Sequence, residues 1–378
     1  MSSDTSKSGL MLVGIGGGGC RMAAAACQAH GPGLDAIGLD TDEATIRSIS
    51  GLRCHLIGAT RLNKQGAGGV HSQGRLAAQD DLPNILGQLQ DARVVVVVTC
   101  LGGGTGGGAT PAILQALRAE GKITLCFATL PFSFEGADRR QIAERDRPFI
   151  EQGADTSVLV PLDELYSGKE QQPLDEASRS AEATLASGLC LLWRLLLTPG
   201  YIGFDPTRLQ NMLLSAGGAR FGTASASGKE RAEHAVATLS RAPLLRNGEA
   251  LSGARALAIG ILAGADLRLA EVGMIMDQIR TLCRKDVHLE MGVVLDKVFD
   301  KQLELVVLAF EHWVPSEHRA NLAAGGEFSS ELLPGKENAR DGKLLGRGGK
   351  FKDVEKTIIK GEDLDIPTYQ RLHVRLER

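Results

Sequence analysis

From Leu10 to Ile15 the chain runs apolar, stops in Gly16-Gly17-Gly18-Gly19, and continues as an alanine-rich stretch from Met22 to Ala29. That order predicts a strand, a glycine turn and a helix. Ala36 to Leu39 predicts a second strand, ending at the polar corner Asp40-Thr41-Asp42, and Leu56-Ile57 a third. Val94 to Val98 is an unbroken β-branched run, the pattern of a strand covered on both faces of a parallel sheet. It enters Gly102-Gly103-Gly104-Thr105-Gly106-Gly107-Gly108, and a helix is expected from about Thr110 to Glu120. Strands are expected again over Ile123 to Leu130 and Ser157 to Val160. Such alternation predicts a doubly wound α/β domain.

Glu176 to Leu197 reads as one long helix, closed by Thr198-Pro199-Gly200. Beyond it, helical patterns over Ser227 to Thr238 and Leu269 to Arg284 alternate with strand-like runs over Ala254 to Ala263 and Leu303 to Phe310. This second α/β unit ends near Trp313. From Val314 the chain is polar and poorly periodic, which reads as a linker or tail. Apolar residues return only in Asp363-Leu364-Asp365-Ile366-Pro367-Thr368-Tyr369. The expected division is 9–175, then a central helix over 176–199, then 200–313, then a tail over 314–378.

Composition narrows the class. Hydrophobic residues make up 43% and charged residues 23% of the 378, too much apolar content for a disordered chain. The net charge of −3 gives no reason to expect nucleic acid or an anionic membrane as partner. The seven cysteines form no C-x-x-C pair and join no histidine cluster, so they read as small hydrophobes in a reducing compartment. No metal-ligating set is read. The polar start, MSSDTSKSG, lacks a secretory signal, and Leu189 to Leu197 is about half a membrane span. A cytoplasmic location is therefore expected.

Glycine carries the most chemistry. Its 47 residues are about 12% of the chain, against the ~7% usual in proteins, and they cluster. Gly14-x-Gly16-x-x-Gly19 between strand and helix, with Asp40 downstream, fits a dinucleotide fingerprint or a purely structural tight turn. The second run is harder to explain by structure alone. Glycine costs about 0.5–1 kcal/mol relative to alanine in regular structure, so Gly102 to Gly108 should serve backbone access. Successive N–H groups there would form an anion-binding nest, to which Thr105 adds a hydroxyl. No G-x-x-x-x-G-K-[ST] is present. Two glycine loops at neighbouring strand ends imply a ligand with several phosphates.

At Gly102 to Gly108 the sequence resembles the tubulin superfamily, and most closely its FtsZ branch. The likeness extends through Gly14 to Gly19, Asp40-Thr41-Asp42, Gly66-Ala67-Gly68 and Pro131-Phe132-Ser133-Phe134-Glu135-Gly136 to Arg139. It continues in Ser227-Gly228-x-x-Arg231-Ala232-Glu233, Leu251-Ser252-Gly253-Ala254-Arg255 and Ala263-Gly264-x-Asp266-Leu267-Arg268-Leu269. The resemblance implies an α/β, tubulin/FtsZ-like fold: a Rossmann-type GTP-binding domain, a long central helix, a second, activating α/β domain and a flexible C-terminal tail. It implies GTP, accompanied by Mg2+, held by Gly16, Gly17, Gly18, Gly19, Arg21, Asp42, Gly66, Ala67, Gly68, Gly102, Gly103, Gly104, Thr105, Gly106, Gly107, Glu135, Arg139 and Glu182. Glu135 and Arg139 would contact sugar and phosphate; otherwise they are an i,i+4 surface pair. It further implies head-to-tail filaments at the division site, and a tail peptide around Asp363 to Tyr369 that docks a division-ring or membrane-tethering protein.

The family's catalytic loop follows the central helix in the pattern N-x-D-x-x-D and completes the neighbouring subunit's site. Here that loop reads Gly203-Phe204-Asp205-Pro206-Thr207-Arg208. Asp205 keeps the first carboxylate; Gly203 and Arg208 replace the Asn and the second carboxylate. Arg208 is either a solvated arginine in a loop without its catalytic task, or a charge that reaches the neighbour's γ-phosphate and stabilises GTP without hydrolysing it. The family's P-N-D turn appears as Pro161-Leu162-Asp163, the stacking Phe is replaced near Ser178, and Arg21 stands at a family Asn. Slow GTP hydrolysis is expected. A non-polymerising regulator on the same fold is the alternative. A Rossmann dinucleotide enzyme leaves Gly102 to Gly108, the Asp205 loop and the tail unexplained.

Overall fold

The structure, a computed structural model, describes residues 9–31, 33–165, 171, 173–197, 211–214, 217–313, 358–359 and 362–363. Side chains at 174, 175, 177–181 and 197 fall outside that description. So do the Gly203 to Arg208 loop, Ser178's side chain and the tail from Leu364 to Tyr369. The chain divides into two compact units, Met1–Gly325 and Gly326–Arg378. In the second, Ile358 and Ile359 pair antiparallel with Asp363 and Glu362.

The first unit is built on one ten-stranded sheet. Its first half comprises β1 (Leu10–Ile15), β2 (Ala36–Asp40), β3 (Cys54–Leu56), β4 (Val94–Cys100), β5 (Ile123–Leu130) and β6 (Thr156–Pro161), all parallel in the order β3-β2-β1-β4-β5-β6. The helices are α1 (Gly16–His30), α2 (Glu43–Ser48), α3 (His71–Gln88), α4 (Gly104–Ala119) and α5 (Ala137–Gly153). A one-turn α6 (Leu162–Leu165) precedes the central helix α7 (Leu174–Leu197). The second half holds β7 (Gly217–Ser227), α8 (Arg231–Ser240), α9 (Glu249–Gly253), β8 (Ala256–Ala263), α10 (Leu269–Leu282), β9 (His288–Leu295) and β10 (Gln302–Phe310). β7 pairs parallel with β6, so one sheet runs through both α/β halves. β10 lies antiparallel between β7 and β8.

The valine run shows why the sheet is apolar throughout. Val96 and Val98 pack with Leu189, Leu192 and Trp193 of α7. Val95 and Val97 pack on the opposite face with Ile85 of α3 and Ile113, Leu114 and Leu117 of α4. Side chains alternate across a strand, so covering both faces requires an unbroken apolar run. In the second half, α8 and α10 bury Ala235, Leu239, Ile275 and Ile279 against Ile259, Ile261, Leu305 and Val307.

Several boundaries differ from the sequence expectation. α1 and α4 begin inside the glycine runs, at Gly16 and Gly104, and not at Met22 and Thr110. Propensity places glycine outside helices, but here close packing selects it within the first turns. Ser227 ends β7, and the helix expected from it starts at Arg231. Four elements carry too little pattern to be read from sequence: α3, α5, β7 and β9. α3 holds Gly74, Pro83 and Gly87; α5 buries only Ala143, Asp146 and Ile150 of its 17 residues.

Candidate functional site

The order of the parallel strands reverses between β1 and β4, and the helices that follow them leave the sheet in opposite directions. That reversal opens a crevice beyond the carboxyl ends of the strands. Both glycine runs sit there. Gly16 has φ of 74°, and a Cβ on it would lie 3.1 Å from the Gly106 nitrogen, so the first turns of α1 and α4 abut. Each turn leaves backbone N–H groups without helical carbonyl partners and adds the positive end of a helix dipole. Together they form a site for a polyanion.

The glycines divide into two roles. A Cβ on Gly18 would overlap Cys100 Sγ, on Gly19 the Val98 carbonyl, on Gly106 the Cys100 carbonyl and on Gly107 Asp146 Oδ2. On Gly104 it would lie 2.8 Å from the Val70 nitrogen and 2.9 Å from Ala67 Cβ. These five let helices, loop and strand ends approach closely. At Gly103 and Gly68 an added Cβ would instead meet no atom within 4 Å, so both border open space. Gly17 is bounded by Thr45 at 3.1 Å, and Gly66 by Asp42 at 3.3 Å. Gly102 combines φ of 86° with the Arg139 carbonyl 2.8 Å from its would-be Cβ, a position closed to any side chain.

Three loops converge on Thr105. Its hydroxyl lies 2.6 Å from that of Thr41, and the Gly66 N–H donates to the Thr41 carbonyl at 3.1 Å. Asp40 is buried and accepts from the Thr41 N–H at 2.7 Å; burial pushes its carboxyl above the usual range. Asp42 instead caps α2, accepting from Thr45 Oγ1 at 2.6 Å and the Ala44 N–H at 3.0 Å. The Thr45 hydrogen bond, with the backbone bonds, holds its carboxyl below the usual range.

Beyond Gly18 the crevice widens into a cavity of about 410 Å³. Arg21, Glu135, Arg139, Leu162 and Glu182 line it, together with Cys100, Thr129, Phe132, Phe134 and Leu185. Arg21 Nε lies 3.4 Å from Glu182 Oε1, which ties α1 to α7 across the mouth. Glu135 accepts from the Phe132 N–H at 2.9 Å and pairs with Arg139 at 2.7 Å, the i,i+4 geometry. Asp163 accepts from the Ser133 N–H at 3.1 Å and from its hydroxyl at 3.2 Å. Leu162 gives the cavity an apolar wall.

The glycines of both runs, Thr105 and the Asp40 to Asp42 corner gather at the ends of β1, β2 and β4, and Arg21, Glu135, Arg139 and Glu182 line the adjoining cavity. Asp205 and Arg208 lie outside the described residues. Sequence reasoning named Pro131 to Arg139 as a pocket element but gave its phenylalanines no role; Phe132 and Phe134 form an aromatic lip, stacked at 4.7 Å with Phe134 67% exposed. Its signal was present in Pro131 to Phe134. Sequence reasoning missed the support under α4: Asp146 is fully buried, with Oδ1 3.0 Å from His71 Nδ1. No local pattern marks that contact, because α3 and α5 bring the two residues together from 75 positions apart in the chain.

The site fits a nucleotide polyphosphate. It offers two adjoining helix N-termini, an open glycine backbone at Gly103, a hydroxyl at Thr105, and a deeper cavity lined by Glu182 among others. Comparison with known proteins agrees in extent. The family model described as Tubulin/FtsZ family, GTPase domain, matches residues 9–168, and that described as FtsZ family, C-terminal domain, matches 217–311. Cell division protein FtsZ 1 of Rhizobium meliloti (strain 1021) is 31% identical over 299 residues, 79% of this chain and 50% of that protein. FtsZ 2 of the same organism is 30% identical over 296 residues, 78% of this chain and 84% of that protein. The chain thus spans about half the length of some curated relatives and most of others. Among solved structures, an empty FtsZ dimer from M. jannaschii superposes with a TM-score of 0.75 at 25% identity, covering 81% of this chain and 89% of that one. A GTPγS-bound protofilament of CetZ2 from Haloferax volcanii shares the fold, with a TM-score of 0.67 at 24% identity over 83% of this chain and 96% of that one.

Proposed function

The chain belongs to the tubulin/FtsZ family, and from that premise we propose that it binds GTP and assembles head to tail into filaments in bacterial cell division. The observation that carries this reading is the abutting of the α1 and α4 first turns at the strand-order reversal. A single dinucleotide pyrophosphate needs one such turn, and two turns at one crevice suit a ligand with more phosphates. The backbone N–H groups of Gly17 and Gly18 and of Gly103 to Gly106 bind the phosphates, and Thr105 donates its hydroxyl. Mg2+, which takes oxygen ligands, accompanies the nucleotide on its phosphate oxygens. Glu182 accepts from the guanine N1 and N2 donors. Glu135 and Arg139 flank the sugar and phosphates.

Hydrolysis in this reading is slow. The Asp205 loop enters the next subunit's site to position water, but Gly203 orients nothing and Arg208 supplies the wrong charge for that task. Each such loss costs roughly 10² to 10³ in rate. Leu162, at a position the family fills with an amide, weakens nucleotide hold further. The tail around Asp363 to Tyr369 docks a membrane-tethering or division-ring partner, which places the filament at the cytoplasmic face of the division site.

Sedimentation with GTP, with GDP and without nucleotide tests the reading. GTP-dependent pelleting is expected. Pelleting or solubility indifferent to nucleotide would overturn it in favour of a nucleotide-insensitive or non-polymerising regulator on the same fold, the reading that the altered Leu162, Gly203 and Arg208 positions favour.

A further inference from the structure

Gly14, Gly38 and Cys54 lie in one row across β1, β2 and β3: Gly14 pairs with Gly38, and Gly38 with Cys54. Residues paired across parallel strands point to the same face of the sheet. The two glycines therefore leave a trough on the face that α1 covers, and Cys20 of α1 descends into it. Its Cα would lie 2.9 Å from a Cβ on Gly14. A Cβ on Gly38 would lie 2.7 Å from Cys54 Sγ and 2.9 Å from Cys20 Sγ. The two sulfurs thus share the space above one glycine.

We propose that Cys20 and Cys54 form a reversible disulfide that reports oxidant to the first turn of α1. The roles of the two sulfurs differ. Cys54 is half-buried on the edge strand, whereas Cys20 is fully buried. The adjacent Cys20 thiol holds the Cys54 thiol below the usual range, and the contact with Cys54 together with burial pushes Cys20 above it. The Cys54 thiolate attacks hydrogen peroxide, breaking the O–O bond to give a sulfenic acid and hydroxide. Cys20 sulfur then attacks the sulfenic sulfur. The S–S bond forms, the S–O bond breaks, and the departing hydroxide takes the Cys20 proton as water. Each two-thiol oxidation consumes one peroxide and yields two waters, counting protonation of the first hydroxide.

The coupling runs through α1. Cys20 follows Gly19 directly, and its thiol donates to the Gly14 carbonyl at 3.4 Å and the Leu39 carbonyl at 3.6 Å, which seats the first turn of the helix on the sheet. Closing the S–S bond removes that donor and draws the turn toward β3. β3 is a three-residue edge strand paired on one side only, so it supplies the movement that a disulfide demands. The effect on nucleotide rests on the GTP-binding reading above; the disulfide itself does not.

The test uses the full chain, exposed to hydrogen peroxide without reductant, then alkylated, digested and mapped. A Cys20–Cys54 linked peptide is expected from the folded protein, reversed by dithiothreitol and absent in Cys54→Ser. Affinity for a fluorescent GTP analogue should fall about tenfold on oxidation, recover on reduction and stay constant in Cys54→Ser under peroxide. A Cys54 sulfinic acid, or pairing of either cysteine elsewhere, overturns the disulfide. A linked peptide with unchanged affinity overturns the coupling. Absence of GTP binding in the reduced protein would instead defeat the functional reading, and peptide mapping would still decide the disulfide.

Discussion

Gly103 and Gly107 are four positions apart in one glycine run, and the structure gives them opposite tasks. Gly107 is pressed on Asp146, whose carboxylate is fully buried beside His71. Gly103 adopts an extended backbone, φ −114° and ψ 161°, open to any residue, and its Cβ would meet nothing. Gly107→Ala is therefore expected to cost about 1–3 kcal/mol of stability by overpacking, read by urea unfolding. Gly103→Ala should stay within about 0.5 kcal/mol of the native stability and yet weaken GTP binding, read by equilibrium titration with the fluorescent analogue. Equal stability loss in both would defeat this division. The run itself was legible in the sequence, and so was its crevice. Which glycine faces ligand was not, because that depends on α3, α5 and the 66–69 loop closing around α4. The same holds for Asp146, which in sequence is one acid among several on a polar helix.

Helices and strands divide along similar lines. β1, β4, β5, β8 and β10 were readable because each is a continuous apolar run, and α7 because its apolar stretch is long. β7, reading GGARFGTASAS, has too little bulk to announce a strand; it forms because β10 pairs with it from Ala219 to Ser227 and β6 with its first residues. α8 and α10 are joined by a contact with no local signature. Buried Arg231 at the start of α8 donates to both Glu271 oxygens, at 2.7 and 3.1 Å, and to Asp266 at 2.7 Å. Glu271 in turn accepts from the Arg268 N–H at 2.8 Å, closing the first turn of α10. The Arg231 guanidinium holds the Glu271 carboxyl below its usual range. Its stabilising contribution is therefore complete above the ordinary glutamate value, ~4.3, and is lost as pH falls through the lowered native value. Glu271→Gln should flatten the acid limb of the stability–pH curve, measured by unfolding between about pH 3 and 6. Arg231→Met leaves Glu271 without its cation and should cost about 2 kcal/mol at neutral pH.

One sheet runs unbroken from β3 to β9, and α7 packs along it, so the two halves of the first unit share a core. Where a Cβ on Gly260 of β8 would stand, Leu195 of α7 and Val306 of β10 lie 2.6 Å away. Arg194 adds an ion pair to Asp296 beyond β9. The two α/β halves of the first unit are thereby mechanically continuous. Restoring the family's loop with Gly203→Asn and Arg208→Asp should raise phosphate release in the pelleted polymer by about 10² or more. Unchanged release would place the defect at Leu162 or elsewhere in the pocket, and ordinary release in the unaltered chain would remove the defect altogether. The family, the doubly wound class of the first half and its two glycine loops at neighbouring strand ends followed from the chain alone, because local glycine placement and apolar runs are written residue by residue. The helix starts inside glycine, the sheet shared across both halves, and the thiol pair above Gly38 came only with the folded chain. Each depends on backbones approaching within a few ångströms across long stretches of sequence, and no local pattern encodes that approach.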